Sequence, residues 1–130
     1  MRELFGGEDK LIKVRGTEAD IAAASRRARE RLIALVKPRF LKGFPERDRL
    51  EVKAPFDENG RREWMWVDVT SWAGRQIGGI LTSQPVIVHG SHEGDRVTVR
   101  EDELFDYLVI HADGSTEGNE TQALLEAAGR

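Results

Sequence analysis

The sequence contains no cysteine, only three histidines and one tyrosine, and its aromatic residues amount to 7%. Without cysteine, the chain has no disulfide, thiolate metal ligand or cysteine nucleophile, a pattern typical of a reducing compartment. The net charge of −3 is too small to favour a polyanionic partner, because binding to a phosphate backbone depends on clustered Lys and Arg. A nucleic-acid site would therefore need a local cluster of basic residues.

Long apolar runs are also absent. Residues 1–13 include Glu3, Glu8 and Asp9 and no continuous apolar stretch, which predicts neither a signal peptide nor a transmembrane span. We therefore expect a cytoplasmic protein that makes no membrane contact.

The 130 residues are most economically a single domain with one modest core. Local sequence patterns divide this domain into four parts. We expect a loose N-terminal arm at 1–16, a helix and connector at 17–45, a β-rich core at 50–111 and a short helix at 119–129 that Asn119 caps.

Apolar residues at helical spacing predict the first helix, which Thr17 can cap. The helix should end near Lys37, because Pro38 has no backbone N–H to continue it. The residues of its apolar face are Ile21, Ala24, Ala28, Leu32 and Leu35.

Alternating apolar and polar residues predict strands in the β-rich core. Asn59-Gly60 is typical of a hairpin turn. In the strand after it, Met65, Val67 and Val69 should face the core, with Trp64, Trp66, Asp68 and Thr70 on the other face. Gly78-Gly79 indicates a bulge, a bend or a close backbone approach. The predicted strands are Leu50 to Ala54, Arg62 to Thr70, Gln76 to Leu81, Pro85 to Val88, Arg96 to Val99 and Tyr107 to Ile110, with a helical turn from Glu101 to Phe105.

Together these elements predict an α+β fold. An N-terminal amphipathic helix packs on a small, strongly bent antiparallel sheet or an SH3-like barrel, and a short C-terminal helix follows. The helix should rest on at least four strands through Ile21, Ala28 and Leu32.

Several short strings resemble, in order and spacing, the YegJ-like family of bacterial domains of unknown function. They are Val52-Lys53-Ala54-Pro55-Phe56, Glu63-Trp64-Met65-Trp66-Val67, Gly79-Ile80-Leu81 with Pro85, Gly94-Asp95-Arg96-Val97-Thr98-Val99, Asp106-Tyr107 and Gly118-Asn119-Glu120-Thr121. The resemblance covers residues 50–121 and implies a shared fold and a bacterial or phage origin. This chain has Trp64, Ser83 and Tyr107 where the family usually has His, Asn and Trp. Any chemistry that used that His and Asn is therefore not expected here.

Large aromatic residues on strands and turns are the first candidates for a binding site, since they supply contact area at low entropic cost. Trp72 lies beside a turn and is expected to be the most exposed of the three tryptophans. We place the binding site at Trp72 and Tyr107, with Asp106, Trp64 and Trp66. The alternative interpretation is that Trp64, Trp66 and Trp72 are buried and form a second layer of the core.

Acidic and histidine residues suggest two further kinds of site. Glu63, Asp68, Asp106 and His111 could serve general acid-base catalysis if folding brings two of them together; a solvated strand face or a turn hydrogen bond explains each equally well. His89 and His92 have ligand spacing, but without cysteine they are too few for a zinc site, and we expect no metal and no cofactor.

The first helix and its exit are basic. The residues are Arg26, Arg27, Arg29, Arg31, Lys37, Arg39 and Lys42. Most fall on the polar side of the helix and no RNA-binding aromatic signature accompanies them, which favours a solvated face over a nucleic-acid contact.

Two functions of different classes follow. One is a non-catalytic binding module for a protein or peptide partner, of which an immunity or antitoxin role is a version. The alternative is a small hydrolase-like enzyme that uses Asp68, Asp106 or His111. A cleft that gathers two of those three residues would favour the enzyme, and an aromatic patch the module. Nothing in the sequence indicates the oligomeric state.

Overall fold

The computed structural model describes residues 17–129, and the predicted arm at 1–16 lies outside the described residues. The first element is the predicted helix, α1 (Glu18–Arg31), which continues through a π-helical turn (Leu32–Val36) into α2 (Lys37–Lys42). Thr17 caps it, since its Oγ1 accepts the N–H of Asp20 at 3.1 Å. The helix therefore begins where its capping residue predicts.

The prediction that the helix ends near Lys37 is wrong. In the π turn, the Lys37 N–H donates to the Leu32 carbonyl five residues back, and Pro38 follows in the first turn of α2. A first helical turn tolerates proline because its N–H groups lack a partner anyway. The extra residue of the π turn also rotates the apolar face. Val36 is buried in the place predicted for Leu35, which is 62% exposed.

Six antiparallel strands follow in one open sheet of order β4-β3-β2-β1-β5-β6. They are β1 (Arg49–Glu58), β2 (Arg61–Ala73), β3 (Gln76–Leu81), β4 (Arg96–Arg100), β5 (Asp106–Ile110) and β6 (Thr116–Gly118). A 3₁₀ turn (Glu101–Glu103) precedes β5, and α3 (Thr121–Ala127) follows β6. The α+β prediction is confirmed: an N-terminal helix, an antiparallel sheet and a short C-terminal helix are present, and the sheet is open.

One predicted strand is absent from the structure, and one observed strand was not predicted. Pro85 to Val88 is irregular, because the N–H groups of Val86, Ile87 and Val88 donate to the Glu63 carboxylate and not to a strand. The short strand β6 has no apolar alternation to reveal it. It forms a hairpin with β5 around the turn that contains Gly114.

The β1–β2 hairpin follows the prediction in its turn and in its core face. Asn59 and Gly60 both have positive φ, at 54° and 78°, as a tight two-residue turn requires. Met65 and Val67 are almost fully buried and Val69 is 7% exposed, so the predicted core face is confirmed.

The core lies between this face of the sheet and the helix. Ala28, Leu32 and Val36 from the helix share one apolar cluster with residues of β1 to β5, namely Leu50, Val52, Ala54, Met65, Val67, Val69, Trp72, Ile77, Leu81, Val99, Tyr107 and Val109. The opposite face carries half-buried residues such as Lys53, Trp66 and Leu108. Within 17–129, no helix combines the length and apolar composition needed to cross a bilayer.

Candidate functional site

The three tryptophans occupy different environments. Trp64 is 38% exposed, Trp66 is half-buried and Trp72 is only 7% exposed, so the expectation that Trp72 is the most exposed is wrong. The cause is a β-bulge between Val69 and Ser71, which shifts the alternation of β2 by one residue and turns Trp72 into the core. Its indole N–H donates to Glu101 Oε1 at 2.9 Å.

Asp106 and Tyr107 are also enclosed. Asp106 is 1% exposed, and its carboxylate accepts the Tyr107 N–H and both the N–H and the hydroxyl of Thr121. It therefore supplies the N-terminal cap of α3. The prediction that Asn119 caps this helix is wrong, because Asn119 has φ +59° and directs its backbone N–H to the Tyr107 carbonyl. The binding roles of Trp72, Tyr107 and Asp106 stay predictions.

Trp64 stands at a groove of about 450 Å³. Its ring lies 5.1 Å, centroid to centroid, from the ring of Phe105, within the range of favourable aromatic contact. The residues that line the groove are Ile21, Lys53, Arg62, Glu63, Trp64, Ile87, Phe105, Gln122 and Leu125. Helix α1, the β1–β2 hairpin, the 82–95 loop and α3 therefore all contribute to one concave, largely apolar surface.

Two cations of the described residues contact aromatic rings at the groove: the Arg62 guanidinium lies 5.4 Å from the centroid of Trp64, and the second cation is Lys53. Its Nζ lies 5.2 Å from the centroid of Phe105 and 5.8 Å from that of Trp66, distances at which an ammonium group is attracted to an aromatic face. Burial lowers the pKa of Lys53 below its usual value, while the charge of Asp106 opposes that shift. The backbone holds this contact, because the Phe105 N–H donates to the Lys53 carbonyl at 2.8 Å.

Two glutamates of the β1–β2 hairpin hold the 82–95 loop against the groove. Glu63 accepts the consecutive N–H groups of Val86, Ile87 and Val88, and Glu58 accepts those of His89 and Gly90. Burial raises the pKa of Glu63, but these hydrogen bonds outweigh it and the pKa is lowered overall. The loop therefore forms one wall of the groove without regular secondary structure of its own.

His111 belongs to a separate charged cluster. Its Nδ1 lies 2.8 Å from Asp48 Oδ2 and its Nε2 lies 2.6 Å from Glu117 Oε2, and Arg39 forms two hydrogen bonds to the same Glu117 carboxylate. Because ionised carboxylates only accept, both ring nitrogens can donate at once only when the imidazole is protonated. Hydrogen bonding to Asp48, then to Glu117, raises the pKa of His111. Hydrogen bonding to Arg39, opposed by burial, lowers the pKa of Glu117 to about 2.

The hydrolase alternative needs two of Asp68, Asp106 and His111 in one cleft, and none of the three lines the groove. Asp106 and His111 are five residues apart along β5, roughly 16 Å at the usual strand rise. Asp68 pairs across the sheet with Glu51, and burial raises the pKa of both carboxyls. The alternative stays an untested prediction.

The His111 cluster predicts a pH dependence of stability. Because folding raises the pKa of His111 above its ordinary 6.5, its stabilisation is complete below pH 6.5 and is lost as the pH rises through the folded value. We expect the thermal midpoint to fall over that alkaline range, and to fall less in His111→Gln. Scanning calorimetry between pH 5 and pH 9 measures this, with the exposed His92→Gln as control. Identical profiles for His111→Gln and the natural chain would contradict the assignment.

His89, His92 and several basic residues of the helix make contacts within the fold. The backbone N–H of His89 and of His92 donates to Glu58 and Asp95, and the described residues contain no cluster of three side chains suited to a metal ion. Several basic residues of the helix hold polar groups elsewhere in the fold. The pairs are Arg29 with the Leu104 carbonyl, Arg31 with Glu120, Lys37 with Glu101 and Arg39 with Glu117.

The family model for an uncharacterized protein conserved in bacteria, DUF2314, matches residues 19–128. The chain belongs to this family. No curated protein and no solved structure matches the chain. Membership in DUF2314 confirms the resemblance to a bacterial domain of unknown function, and the matched range contains every residue that lines the groove.

Sequence reasoning missed Lys53 and Phe105 as site residues of this DUF2314 member. Lys53 could have been found, because a two-residue turn at Asn59-Gly60 pairs 58 with 61 and, by counting back, Lys53 with Trp66. Phe105 gave no such signal, since only the long-range pairing of β5 with β1 brings it beside Lys53.

Proposed function

We propose that this protein is a non-catalytic binding module that takes a segment of a protein partner in the groove beside Trp64. The observation that carries the proposal is the exposed Trp64 ring, held against Phe105 at a concave apolar surface. Exposed tryptophans in such surroundings are enriched among the residues that dominate binding energy. Of the residues predicted from sequence, Trp64 lines this surface, and Trp66 lies beside it through its contact with Lys53.

The groove is preorganised, which supports binding of a flexible segment. The Glu63 and Glu58 hydrogen bonds fix the loop wall, and the strand pairing fixes Lys53 and Phe105. A preformed surface loses little conformational entropy on binding, so more of the contact energy appears as affinity.

Selection from a displayed library of random heptapeptides tests the proposal. Peptides selected on the natural chain should bind Trp64→Ala at least about tenfold more weakly, because a central aromatic contact is lost. Leu41→Ala is the matched control, since Leu41 is 57% exposed on α2 and does not line the groove. Biolayer interferometry gives the affinities. Equal binding by Trp64→Ala and the natural chain would contradict the proposal.

Narrower assignments belong to the same proposal. The motif strings support a place in the YegJ-like group, and the absence of cysteine supports a cytoplasmic location. An immunity or antitoxin role is one form of partner binding, and a toxin gene beside the coding sequence is the observation that would support it.

A further inference from the structure

Three charged residues line the groove, and two of them are already neutralised. Arg62 holds Asp57 with two hydrogen bonds of 2.7 and 3.0 Å. Glu63 accepts three backbone N–H groups. Neither side chain therefore offers an unsatisfied charge to a ligand.

Lys53 is different, because its ammonium group has no hydrogen bond or ion pair with any residue in the described part of the chain. The carboxylate that acts on it electrostatically, Asp106, is occupied by Thr121 and by the Tyr107 N–H. Half-buried and without a carboxylate partner, Lys53 has given up part of its hydration for two ring contacts. A ligand carboxylate would form the charge-assisted hydrogen bond that this ammonium lacks.

Apolar contact is available next to this cation. Lys53 pairs in register with Trp66, and Trp64 is its diagonal neighbour across the β1–β2 hairpin, roughly 7–8 Å away. In an extended segment, residues two positions apart point to the same side and lie roughly 7 Å from one another. One residue of the segment can therefore reach Lys53 while the second residue after it lies on Trp64 and Phe105.

We propose that the partner segment is acidic and apolar: it places a carboxylate on Lys53 Nζ and, two residues along, an aromatic or large aliphatic side chain against Trp64 and Phe105. The inference rests on the proposed function and narrows it to one chemical class of partner. Segments with a basic residue at the same position are disfavoured, because they bring a like charge to Lys53.

Two matched probes test this inference: the N-acetylated pentapeptide amide Ser-Glu-Ile-Phe-Ser and its Gln counterpart. Titration into ¹⁵N-labelled protein is followed through the three indole N–H signals. We expect the signals of Trp64 and Trp66 to move and that of Trp72 to stay, because Trp72 is buried and bonded to Glu101. The Glu peptide should bind about tenfold more tightly than the Gln peptide.

Variants assign that preference to Lys53. In Lys53→Gln the two peptides should bind equally, and in Lys53→Arg, which keeps the charge, the preference should persist. Lys42→Gln is the control, since Lys42 is exposed on α2 and does not line the groove. Backbone amide spectra show whether each variant is folded. If Lys53→Gln does not fold, Lys53→Arg keeps the test decisive.

The outcomes separate the two proposals. Equal binding of both peptides to the natural chain, with movement of the Trp64 signal, overturns the acidic preference and leaves the groove as a binding site. A Glu preference that persists in Lys53→Gln overturns the role of Lys53. If millimolar concentrations of either peptide leave the Trp64 signal unmoved, both the inference and the groove as a peptide site are contradicted.

Discussion

Replacing Val67 with Asp should lower the free energy of unfolding by about 4 kcal/mol, because an unpaired charge would be buried at the centre of the sheet. Val67 is fully buried and pairs with Val52 on one side and Leu81 on the other. No cationic side chain belongs to the apolar cluster around it. Protonation of the new carboxyl would relieve only part of the loss.

Chemical denaturation with urea, followed by tryptophan fluorescence, measures the effect of Val67→Asp. Thr98→Asp is the matched control, since it places the same charge at an exposed position of edge strand β4 and should cost about 1 kcal/mol or less. If the two variants unfold at the same urea concentration, the assignment of the core face is inverted.

Gly79→Ala is the second large effect that we expect, a loss of about 3 kcal/mol. A Cβ at Gly79 would lie 2.7 Å from Val67 Cγ1 and closer still to the carbonyl oxygen of Asp68. The closest atom belongs to the backbone of the neighbouring strand, so strands β2 and β3 would have to separate. Their pairing beside the bulge between Val69 and Ser71 would be lost.

Gly78→Ala is the control for Gly79→Ala, because it makes the same change one residue earlier. Its Cβ would meet Ser71 Oγ at 2.5 Å, and Ser71 is exposed and can rotate its hydroxyl away. We expect a cost below about 1 kcal/mol for this variant. The thermal midpoints of the two alanine variants measure this difference. Equal midpoints would show that the close approach at Gly79 does not limit the size of the side chain there.

Local patterns predicted much of the fold. Thr17 marks the start of the helix, Asn59-Gly60 marks the hairpin, and the alternation of Met65, Val67 and Val69 marks the core face. Each of these signals depends on residues within a few positions of one another. Of the three alternatives predicted for Gly78-Gly79, a bulge, a bend or a close backbone approach, the close approach is observed at Gly79.

The candidate site was predicted only in part. Trp64 lines the groove, but Trp72 was expected to be the most exposed tryptophan, whereas a bulge in β2 turns it into the core. Asp106 was a candidate catalytic or binding acid, and the structure adds that its carboxylate caps α3, fifteen positions away along the chain. Neither outcome follows from neighbouring residues.

What the sequence by itself determined is the class of the fold and the core face of β2 up to its bulge, because helical spacing and strand alternation are local consequences of backbone geometry. Only the tertiary structure decided which charged side chain at the groove lacks a partner of opposite charge. Whether Lys53 has a carboxylate partner depends on where Asp106, Glu63 and Asp57 direct their oxygens, and those choices are made by strand pairing, loop closure and helix capping together. The candidate site is therefore a property of the assembled sheet.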